Sequence, residues 1–539
     1  MIFKFIKNYS ILEKIKNFNR SEFASSKNKN KSSKLILLEF NSFQVLHVVF
    51  AYIVNYFLKK KKFTVKAYYS HILITYDLNR SFIESFKSKI ANYLNLGVFG
   101  VYKSFGVNEI IFPRITSDIE IKSEKFYSKI ITKIKNKNDV LEVKINNILV
   151  GDLIYDSYLT RNKKQKPTID INDKGFKKFL FDFIKLYFFW EHYINNNNVK
   201  ILLVSHSCYT LGLPCRIGLK KKVKCLEVKE NRLKKLDLNK IHHYSETKSY
   251  PIQFENLKKK DKWNALKLSK NNLDKRFSGI NLDMPYASKT AFLNNNYKKK
   301  INKKFTILIL PHDFIDAPHI AGKFAFADMY EWIKFLSHLS LKQNKYNWLI
   351  KTHKKYGGKF SWYQNFTEKN IDRLIKNSNI KKLNSNTSHN EIISMGVDLV
   401  LTVFGTAAHE YAYKNIQVLN ASKYNPHCGY DFNIHISNTE NYKKFFNNLK
   451  KSKISMPKKK VLEFYYMHYI YHTKNWFFDD YNKMLKELGN YHDQWNNKFY
   501  KYWIDNHDKS NFKKKLEKKL DNFINSREQV FSVKNMIDN

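Results

Sequence analysis

Two stretches of the 539-residue sequence alternate between short apolar runs and segments of helical length. The first stretch opens with KLILLEF at residues 34 to 40, a helical segment at 42 to 58 and FTVKAYY at 63 to 69. A strand, a helix and a strand within about 35 residues form a βαβ unit, whose crossover requires parallel strands. The first half is therefore predicted to be an α/β layer with its own sheet.

The alternation restarts after a polar stretch that reaches to about residue 300. Strand-like runs, separated by helical segments, then occupy 304 to 310, 346 to 353, 397 to 403 and 416 to 421. We therefore predict an α/β fold with two Rossmann-like domains that face a central cleft, followed by C-terminal helices. The predicted divisions are a mobile basic tail at 1–33, an N-terminal domain with its linker at 34–300, a C-terminal domain at 301–460 and C-terminal helices at 461–539.

The formal net charge of +49 would ordinarily indicate a nucleic-acid or anionic-membrane partner. The lysines are spread through every segment, however, and the chain is rich in Lys, Asn, Ile, Tyr and Phe, as expected from an AT-rich genome. The sequence has no RNP-like aromatic run, zinc-finger spacing or Arg-rich arm. We therefore predict no nucleic-acid partner and keep peripheral contact with an anionic membrane as an alternative.

The compartment is predicted from the cysteines and the apolar runs. The four cysteines form no CxxC pair and have no histidine at metal-ligand spacing, which favours reduced thiols. The N-terminal segment has scattered lysines and no cleavage site, unlike a signal peptide. The longest apolar run, at 43 to 58, is too short and too polar for a membrane span. These features predict a cytoplasmic protein, either free or peripheral at the inner membrane.

The segment VDLVLTVFGTAAHEYAYKNIQVLNAS places Gly405 and Thr406 where a predicted strand gives way to a helix. Ligands of open parallel sheets bind at the carboxyl ends of the strands. Glycine lets the backbone approach a ligand, threonine can cap the helix or donate its hydroxyl, and a helix N-terminus attracts phosphate. Glu410, one turn later, could accept both hydroxyls of a ribose. The alternative is an ordinary helix cap with a solvated glutamate.

Two further strand ends carry polar residues that could contact a ligand. The run WLIKTHKKYGG ends a predicted strand with Lys351 and His353, which suit a phosphate or a carboxylate. The run LPHDFIDAPHIAGK follows another strand and contains His312, Asp313, Asp316 and His319. Two His and two Asp could bind a metal, but the two prolines indicate a loop without helical spacing. We favour a loop that contacts substrate.

The first half offers weaker candidates. The run LLVSHSCYTLG places His206 and Ser207 at a strand end that faces the same cleft. The run VGDLIYDSYL is predicted to hold Asp152 and Asp156 in a comparable place. The alternative is that these side chains only cap the next element.

These motifs resemble those of a GT-B glycosyltransferase. The similarity is to the capsule and surface polysaccharide biosynthesis group, which includes Kdo transferases and CMP-sugar-using bacterial sialyltransferases. It rests on the KTH strand end, the Gly-Thr turn and the glutamate of the following helix, with support from the two runs of the first half. The resemblance implies an acceptor-side N-terminal domain and a C-terminal nucleotide-sugar domain. It also implies no metal, no cofactor, and a donor site made of Lys351, His353, Gly405, Thr406 and Glu410.

The expected activity is transfer of a sugar from a CMP- or UDP-linked donor to a glycan or lipid-linked glycan of a surface or capsular polysaccharide. Such a transfer releases a phosphate, so the site needs positive potential there and an acid/base group near the acceptor hydroxyl. Our candidates for that group are Asp313, His312 and His206. The alternatives are a teichoic-acid-type CDP-polyol phosphotransferase, a nucleotide-sugar epimerase and a non-enzymatic basic scaffold.

Overall fold

A computed structural model gives the fold of most of the chain. It describes residues 2–24, 32–69, 82–160, 166–284, 289–293, 304–353, 361–449, 457–507 and 511–536.

The first domain contains a six-stranded sheet and a small hairpin. Its strands are β1 (Leu35–Glu39), β2 (Thr64–Tyr68), β3 (Glu109–Ile111), β4 (Lys144–Ile145), β5 (Ile148–Leu149), β6 (Val199–Val204), β7 (Lys224–Lys229) and β8 (Arg232–Lys235). The sheet has the order β3-β2-β1-β6-β7-β8, and β4 pairs with β5 as a separate hairpin. All neighbours in the six-stranded sheet are parallel except β7 and β8.

The second domain contains an independent parallel sheet. Its strands are β9 (Thr306–Ile309), β10 (Asn347–Ile350), β11 (Ile380–Lys382), β12 (Leu399–Thr402), β13 (Gln417–Asn420) and β14 (Ile434–His435). The order is β11-β10-β9-β12-β13-β14, and every pairing is parallel. The order places β9 between β10 and β12, so the loops that follow these three strands are neighbours.

Helices surround both sheets. The first domain has α1 (Ile2–Glu22), α2 (Gln44–Lys60), α3 (Phe82–Tyr93), α4 (Gly97–Ser104), α5 (Ser117–Ile131), α6 (Lys137–Leu141), α7 (Gly151–Thr160), α8 (Lys174–Asn196) and α9 (Leu213–Lys220). Along the chain, the strands of the two sheets are separated by α10 (Tyr250–Glu255) and α11 (Lys259–Phe277). The second domain has α12 (Met329–Lys342), α13 (Ser361–Ile375), α14 (His389–Ser394), α15 (Ala407–Tyr413) and α16 (Thr439–Asn447). The C-terminal helices are α17 (Lys458–Tyr466), α18 (Tyr481–Leu488), α19 (Asn497–Asn506) and α20 (Phe512–Asn525).

The central strands are buried along their whole length because helices cover both faces of each sheet. Every residue of β1, β9 and β12 is buried, which explains why these strands appear in the sequence as continuous apolar runs. Successive side chains of β1 enter different cores: Ile36 and Leu38 pack with α2, and Leu37 packs with α8. The prediction of two parallel-sheet Rossmann-like domains with C-terminal helices is confirmed.

Several helices begin at side chains that bind their free N–H groups. The Asp173 carboxylate accepts a hydrogen bond from the Gly175 N–H at the start of α8, and Asp328 accepts one from the Glu331 N–H at the start of α12. Such caps fix where a helix starts. They therefore also fix the length of the loop between each strand and its helix.

The N-terminal segment differs from the predicted mobile tail at 1–33. Ile2–Glu22 forms α1, which packs against α4 and α19 and buries Ile15 and Phe18. The sequence did not indicate this helix because its apolar residues are not confined to one face. Residues 25–31 of the predicted tail lie outside the described residues.

Helices of the C-terminal segment contact both domains: α17 packs on α15 and α11, and α19 packs on α2. Within the described part of the chain, no helix is both long and apolar enough to cross a bilayer.

Candidate functional site

A cavity of about 820 Å³ lies between the two sheets. It is lined by residues that follow three parallel strands of each sheet. These residues are Phe43 after β1, His206 after β6, Glu230 after β7, Pro311 after β9, Lys351 after β10 and Gly405 after β12. The C-terminal segment contributes His468, His472 and Lys474 to the lining of the cavity. Every donor-site and acid/base residue predicted from the sequence lines this cavity.

His312 lies at the centre of the second-domain side because β9 is the middle strand of the three. The Phe404 N–H donates to His312 Nε2 at 3.4 Å, and the two rings stack with centroids 4.2 Å apart. The centroid of His353 is 6.2 Å from that of His312. Burial, with a smaller effect of His353, lowers the pKa of His312 to about 3. His312 is therefore a neutral imidazole whose Nε2 already accepts a hydrogen bond.

Lys351 and His353 enter the cavity from the end of β10. The His353 side chain is exposed, but desolvation by the protein around it, with a smaller effect of the positive charge of Lys351, lowers its pKa to about 4. The imidazole is therefore neutral at physiological pH. Lys351 supplies the positive charge at this strand end.

Glycine is favoured at position 405 because neighbouring side chains leave little room for a Cβ. A Cβ at this position would lie 3.1 Å from Thr402 Oγ1 and 3.3 Å from His312 Cε1. Its backbone is not in the left-handed region, so packing against His312 is the reason for glycine here. Thr406 directly precedes α15, and its side chain accepts no capping hydrogen bond. The Thr406 side chain instead lines the cavity.

Glu410 has a partner that the sequence did not predict. Arg276 Nε donates to Glu410 Oε1 at 3.0 Å, and both side chains are almost fully buried while lining the cavity. The Glu410 carboxylate is therefore buried in an ion pair and not solvated, and its binding of a ribose stays a prediction. Arg276 comes from α11, in a polar stretch without a periodic apolar pattern. Spacing along the chain could not have paired residues 134 positions apart.

Two carboxyl groups and a strained tyrosine face the cavity from the loop after β9 and the loop after β6. Burial and the nearby Asp316 raise the pKa of Asp313 to about 7. The Tyr209 hydroxyl donates to Asp316 Oδ1 at 2.9 Å, which links the two domains. Tyr209 has a φ of 53° and Ala317, next to Asp316, a φ of 45°. Both φ values lie in the left-handed region, which costs a non-glycine residue free energy, and such residues concentrate at functional sites.

The first domain contributes cations that no sequence motif marks. Lys229 and Arg232 lie on either side of the turn between β7 and β8, and both line the cavity. Arg232 pairs with Glu246, which limits its free charge. From the C-terminal segment comes Lys474, whose pKa burial lowers to about 8. In a chain so rich in lysine, composition alone could not distinguish these positions.

His206 is brought to the cavity, but four other candidates are not: Ser207, Asp152, Asp156 and His319. Asp152 and Asp156 lie within α7 instead of at a strand end, because VGDLIYDSYL forms a buried helix. Asp152 pairs with Arg216 Nη2 at 2.5 Å. Asp156 Oδ1 lies 2.6 Å from Nδ1 of His319, so the side chain of His319 turns away from the cavity. Among the described residues, no group of three or more His, Cys, Asp or Glu side chains could hold a metal ion.

No family model and no curated protein matches the sequence. Solved structures show a distant likeness. UDP-GlcNAc 2-epimerase from Neisseria meningitidis bound to UDP-GlcNAc is 9% identical over 80% of this chain and 99% of that chain, with a TM-score of 0.23. The Methanocaldococcus jannaschii UDP-GlcNAc 2-epimerase in complex with UDP-GlcNAc and UDP is 12% identical over 80% and 97%, with a TM-score of 0.21. The wall teichoic acid polymerase TagF is 13% identical over 94% and 98%, with a TM-score of 0.19. Sequence identities of 9 to 13% and TM-scores of 0.19 to 0.23 do not indicate which reaction this chain catalyses.

Proposed function

We propose that the chain is an enzyme that transfers a sugar from a nucleotide-sugar donor to a glycan acceptor. The observation that carries this proposal is the convergence of six parallel strand ends, three from each sheet, on one cavity of about 820 Å³. Ligands of such sheets bind at the carboxyl ends of the strands. The volume is in the upper part of the range of about 300 to 1,000 Å³ for ligand pockets, which suits a donor and an acceptor together.

The second-domain side of the cavity is proposed to hold the donor. The leaving nucleotide carries a negative phosphate, and Lys351 supplies a cation at the end of β10. Because the Lys351 side chain is buried, its charge stabilises a developing phosphate more strongly than it would in bulk solvent. The Thr406 hydroxyl, which caps no helix, and the neutral His353 add hydrogen-bonding groups. The Arg276–Glu410 pair offers one donor group and one acceptor group to the nucleoside.

Side chains of both domains are proposed to activate the acceptor hydroxyl: Asp313 from the loop after β9 and His206 from the end of β6. Asp313 and His206 are the candidate bases, since a pKa near the working pH or a neutral imidazole suits proton removal. His312 is less suited, because its Nε2 already accepts a hydrogen bond. We propose a CMP- or UDP-linked donor and a surface or capsular glycan acceptor. The narrower assignment to Kdo or CMP-sugar transferases rests on the sequence resemblance alone.

A nucleotide-sugar epimerase is the second candidate. It is favoured by Asp313 and Asp316, two carboxyl groups with raised pKa values that face the same cavity. An epimerase needs groups that remove a proton from the sugar and return it, and such a pair could do so. It needs no acceptor.

The test is release of free nucleotide from CMP-, UDP- and CDP-linked donors, with and without a glycan acceptor. A transferase releases CMP or UDP in quantity only when an acceptor is present. We expect the variants His353→Ala and Thr406→Val to lower this release by about a hundredfold or more. An epimerase converts the sugar without acceptor and without net release. Release of CMP from CDP-glycerol would identify a polyol phosphotransferase. Salt-dependent binding of nucleic acid with no turnover of any donor would identify the basic scaffold.

A further inference from the structure

Glu39, the last residue of β1, is a fully buried carboxyl group beside the cavity wall. The parallel pairing of β1 with β6 brings the residues after β6 to its side. Glu39 accepts hydrogen bonds from the Ser205 N–H at 2.7 Å and from Ser205 Oγ at 2.7 and 2.8 Å. A carboxyl group buried at this depth is costly unless donors surround it, as they do here.

Ser205 joins this carboxyl group to an imidazole. Ser205 Oγ lies 2.8 Å from Nδ1 of His206, whose side chain lines the cavity. A serine hydroxyl has one proton, so it can donate to Glu39 or to His206 but not to both. If Ser205 donates to Glu39, then Nδ1 of His206 must carry a proton and donate to Ser205. If Glu39 were a neutral acid that donated to Ser205, the proton of His206 would instead be on Nε2.

The donors around Glu39 favour the first arrangement. Besides Ser205, the Asn41 Nδ2 group donates to Glu39 Oε1 at 3.3 Å, and the His206 backbone N–H also donates to this carboxyl group. Burial raises the pKa of Glu39, and these donors oppose that rise. Several N–H donors to the oxygens of a carboxyl group favour its ionised form.

We propose that Glu39 and Ser205 are positioning residues that fix His206 in the Nδ1–H tautomer, so that Nε2 presents its lone pair to the acceptor hydroxyl. This inference rests on the proposed transfer function. Among the described residues, none forms a hydrogen bond with Nε2 of His206. Burial and the charge of Lys229 hold the pKa of His206 well below its usual range, which keeps the imidazole neutral and able to accept a proton.

The proton transfer balances within the transfer reaction. The acceptor oxygen bonds to the anomeric carbon while its proton moves to Nε2 of His206. The bond from the anomeric carbon to the phosphate oxygen breaks, and the nucleotide leaves with the electron pair. The imidazolium so formed donates from Nδ1 to Ser205, which donates to Glu39, so the negative carboxylate stabilises the new positive charge.

The tautomer can be measured without any substrate. In ¹⁵N–¹H correlation spectra of the full chain labelled with ring-¹⁵N histidine, the His206 signals are assigned by their loss in His206→Gln. We expect a protonated Nδ1 and an unprotonated Nε2 in the wild type. Ser205→Ala should change the ratio of the two tautomers by about tenfold or more. The control Ser207→Ala removes a neighbouring buried hydroxyl that bonds to the Ile241 carbonyl and does not line the cavity, so it should leave the ratio unchanged. A His206 protonated on Nε2 in the wild type would overturn the proposal.

Turnover provides the second readout. His206→Gln should lower kcat by about a hundredfold or more, and Ser205→Ala and Glu39→Gln by about tenfold, with the donor KM unchanged. Ser207→Ala should stay within about twofold of the wild type. Turnover of Ser205→Ala within the same limit would contradict the positioning role. If no donor is turned over, the proposed function fails, while the wild-type spectrum still decides the tautomer. If Glu39→Gln does not fold, that spectrum and Ser205→Ala remain decisive.

Discussion

Asp313 lies in the cavity with a second carboxyl group, Asp316, close enough to raise its pKa. Burial contributes most of the rise to about 7, Asp316 adds to it, and a hydrogen bond from Thr367 opposes it. If Asp313 acts in catalysis, the pH–rate profile should contain an ionisation near pH 7. Asp316→Asn removes the like charge, so the pKa of Asp313 falls and this ionisation moves to lower pH.

Steady-state kinetics between pH 5 and 9 would measure the shift, with Asp372→Asn as the control. Asp372 is on α13 and pairs with Lys382 outside the cavity. The Asp372→Asn variant should leave the pH–rate profile unchanged. An ionisation that does not move in Asp316→Asn would exclude Asp313 as its source.

Glu410 can be tested through stability because its partner is buried with it. Glu410→Gln leaves the charge of Arg276 without its carboxylate, and breaking a buried ion pair in this way costs about 3 kcal/mol of unfolding free energy. Glu440→Gln breaks the exposed pair with Lys444 and should cost less than about 0.5 kcal/mol. Urea denaturation monitored by circular dichroism measures both. Equal, small losses would mean that the Arg276–Glu410 pair does not stabilise the fold.

At the level of single residues, the rule that ligands bind at the carboxyl ends of parallel strands predicts much of the cavity lining. Lys351, His353 and Gly405 were predicted together because parallel strands end on one edge of a sheet, wherever their loops lie in the sequence. The rule could not find Arg276 or Lys474. These come from a helix and from the C-terminal segment, and only tertiary packing brings them to the cavity.

The turn between β12 and α15 gives a prediction at the level of elements. Gly405→Ala places a methyl group against Thr402 and His312, which must move by a few tenths of an ångström. Unfolding free energy should change by no more than about 1 kcal/mol, because reduced chain entropy in the unfolded state offsets the contact. Turnover should fall by about tenfold or more, since a small displacement of reacting groups is costly.

Gly396→Ala is the contrasting control for that variant. Gly396 has a φ of 83°, and beyond its chain neighbours none of the described residues has an atom within 4 Å of where a Cβ would lie. Its variant therefore strains the backbone without touching the cavity. It should lower stability and leave turnover per folded molecule intact. Loss of turnover in Gly396→Ala but not in Gly405→Ala would contradict the packing account.

Elements were predictable where the burial pattern repeats along the chain. Strands such as β9 and β12 are buried on both faces and therefore stand out as apolar runs. The two-residue β14 and the lysine-rich α11 have too few buried apolar residues to show a period. Their conformation depends on neighbouring elements, so tertiary structure and not local pattern fixes them.

At the scale of the whole molecule, a buried ion pair joins the two domains. His319 Nδ1 lies 2.6 Å from Asp156 Oδ1 in α7, and Nε2 lies 2.9 Å from the Ala327 carbonyl oxygen. Both ring nitrogens face acceptors, which favours the imidazolium, and Asp152 adds to the effect of Asp156. The pKa of His319 is therefore raised although burial opposes the rise.

The sign of the pH dependence follows from that shift. The stabilisation from His319 is complete below its unfolded pKa of about 6.5 and is lost as the pH rises through the higher folded pKa. His319→Gln should therefore destabilise the protein more at pH 6 than at pH 9 in urea unfolding. The exposed His338→Gln, on α12, should show no such difference. A penalty for His319→Gln that grows with pH would contradict the account.

The central claim is that the cavity between the domains binds a nucleotide through Lys351, and thermal unfolding in the presence of CMP, CDP or UDP tests it most directly. A nucleotide at a hundred times its Kd adds about 2.7 kcal/mol, so at least one of the three should raise the Tm of the wild type. The exposed control Lys381→Gln, on β11, should show the same rise. Lys351→Gln, compared with its own nucleotide-free form, should lose most of it. A Tm that no nucleotide raises, or a full rise in Lys351→Gln, would contradict the claim.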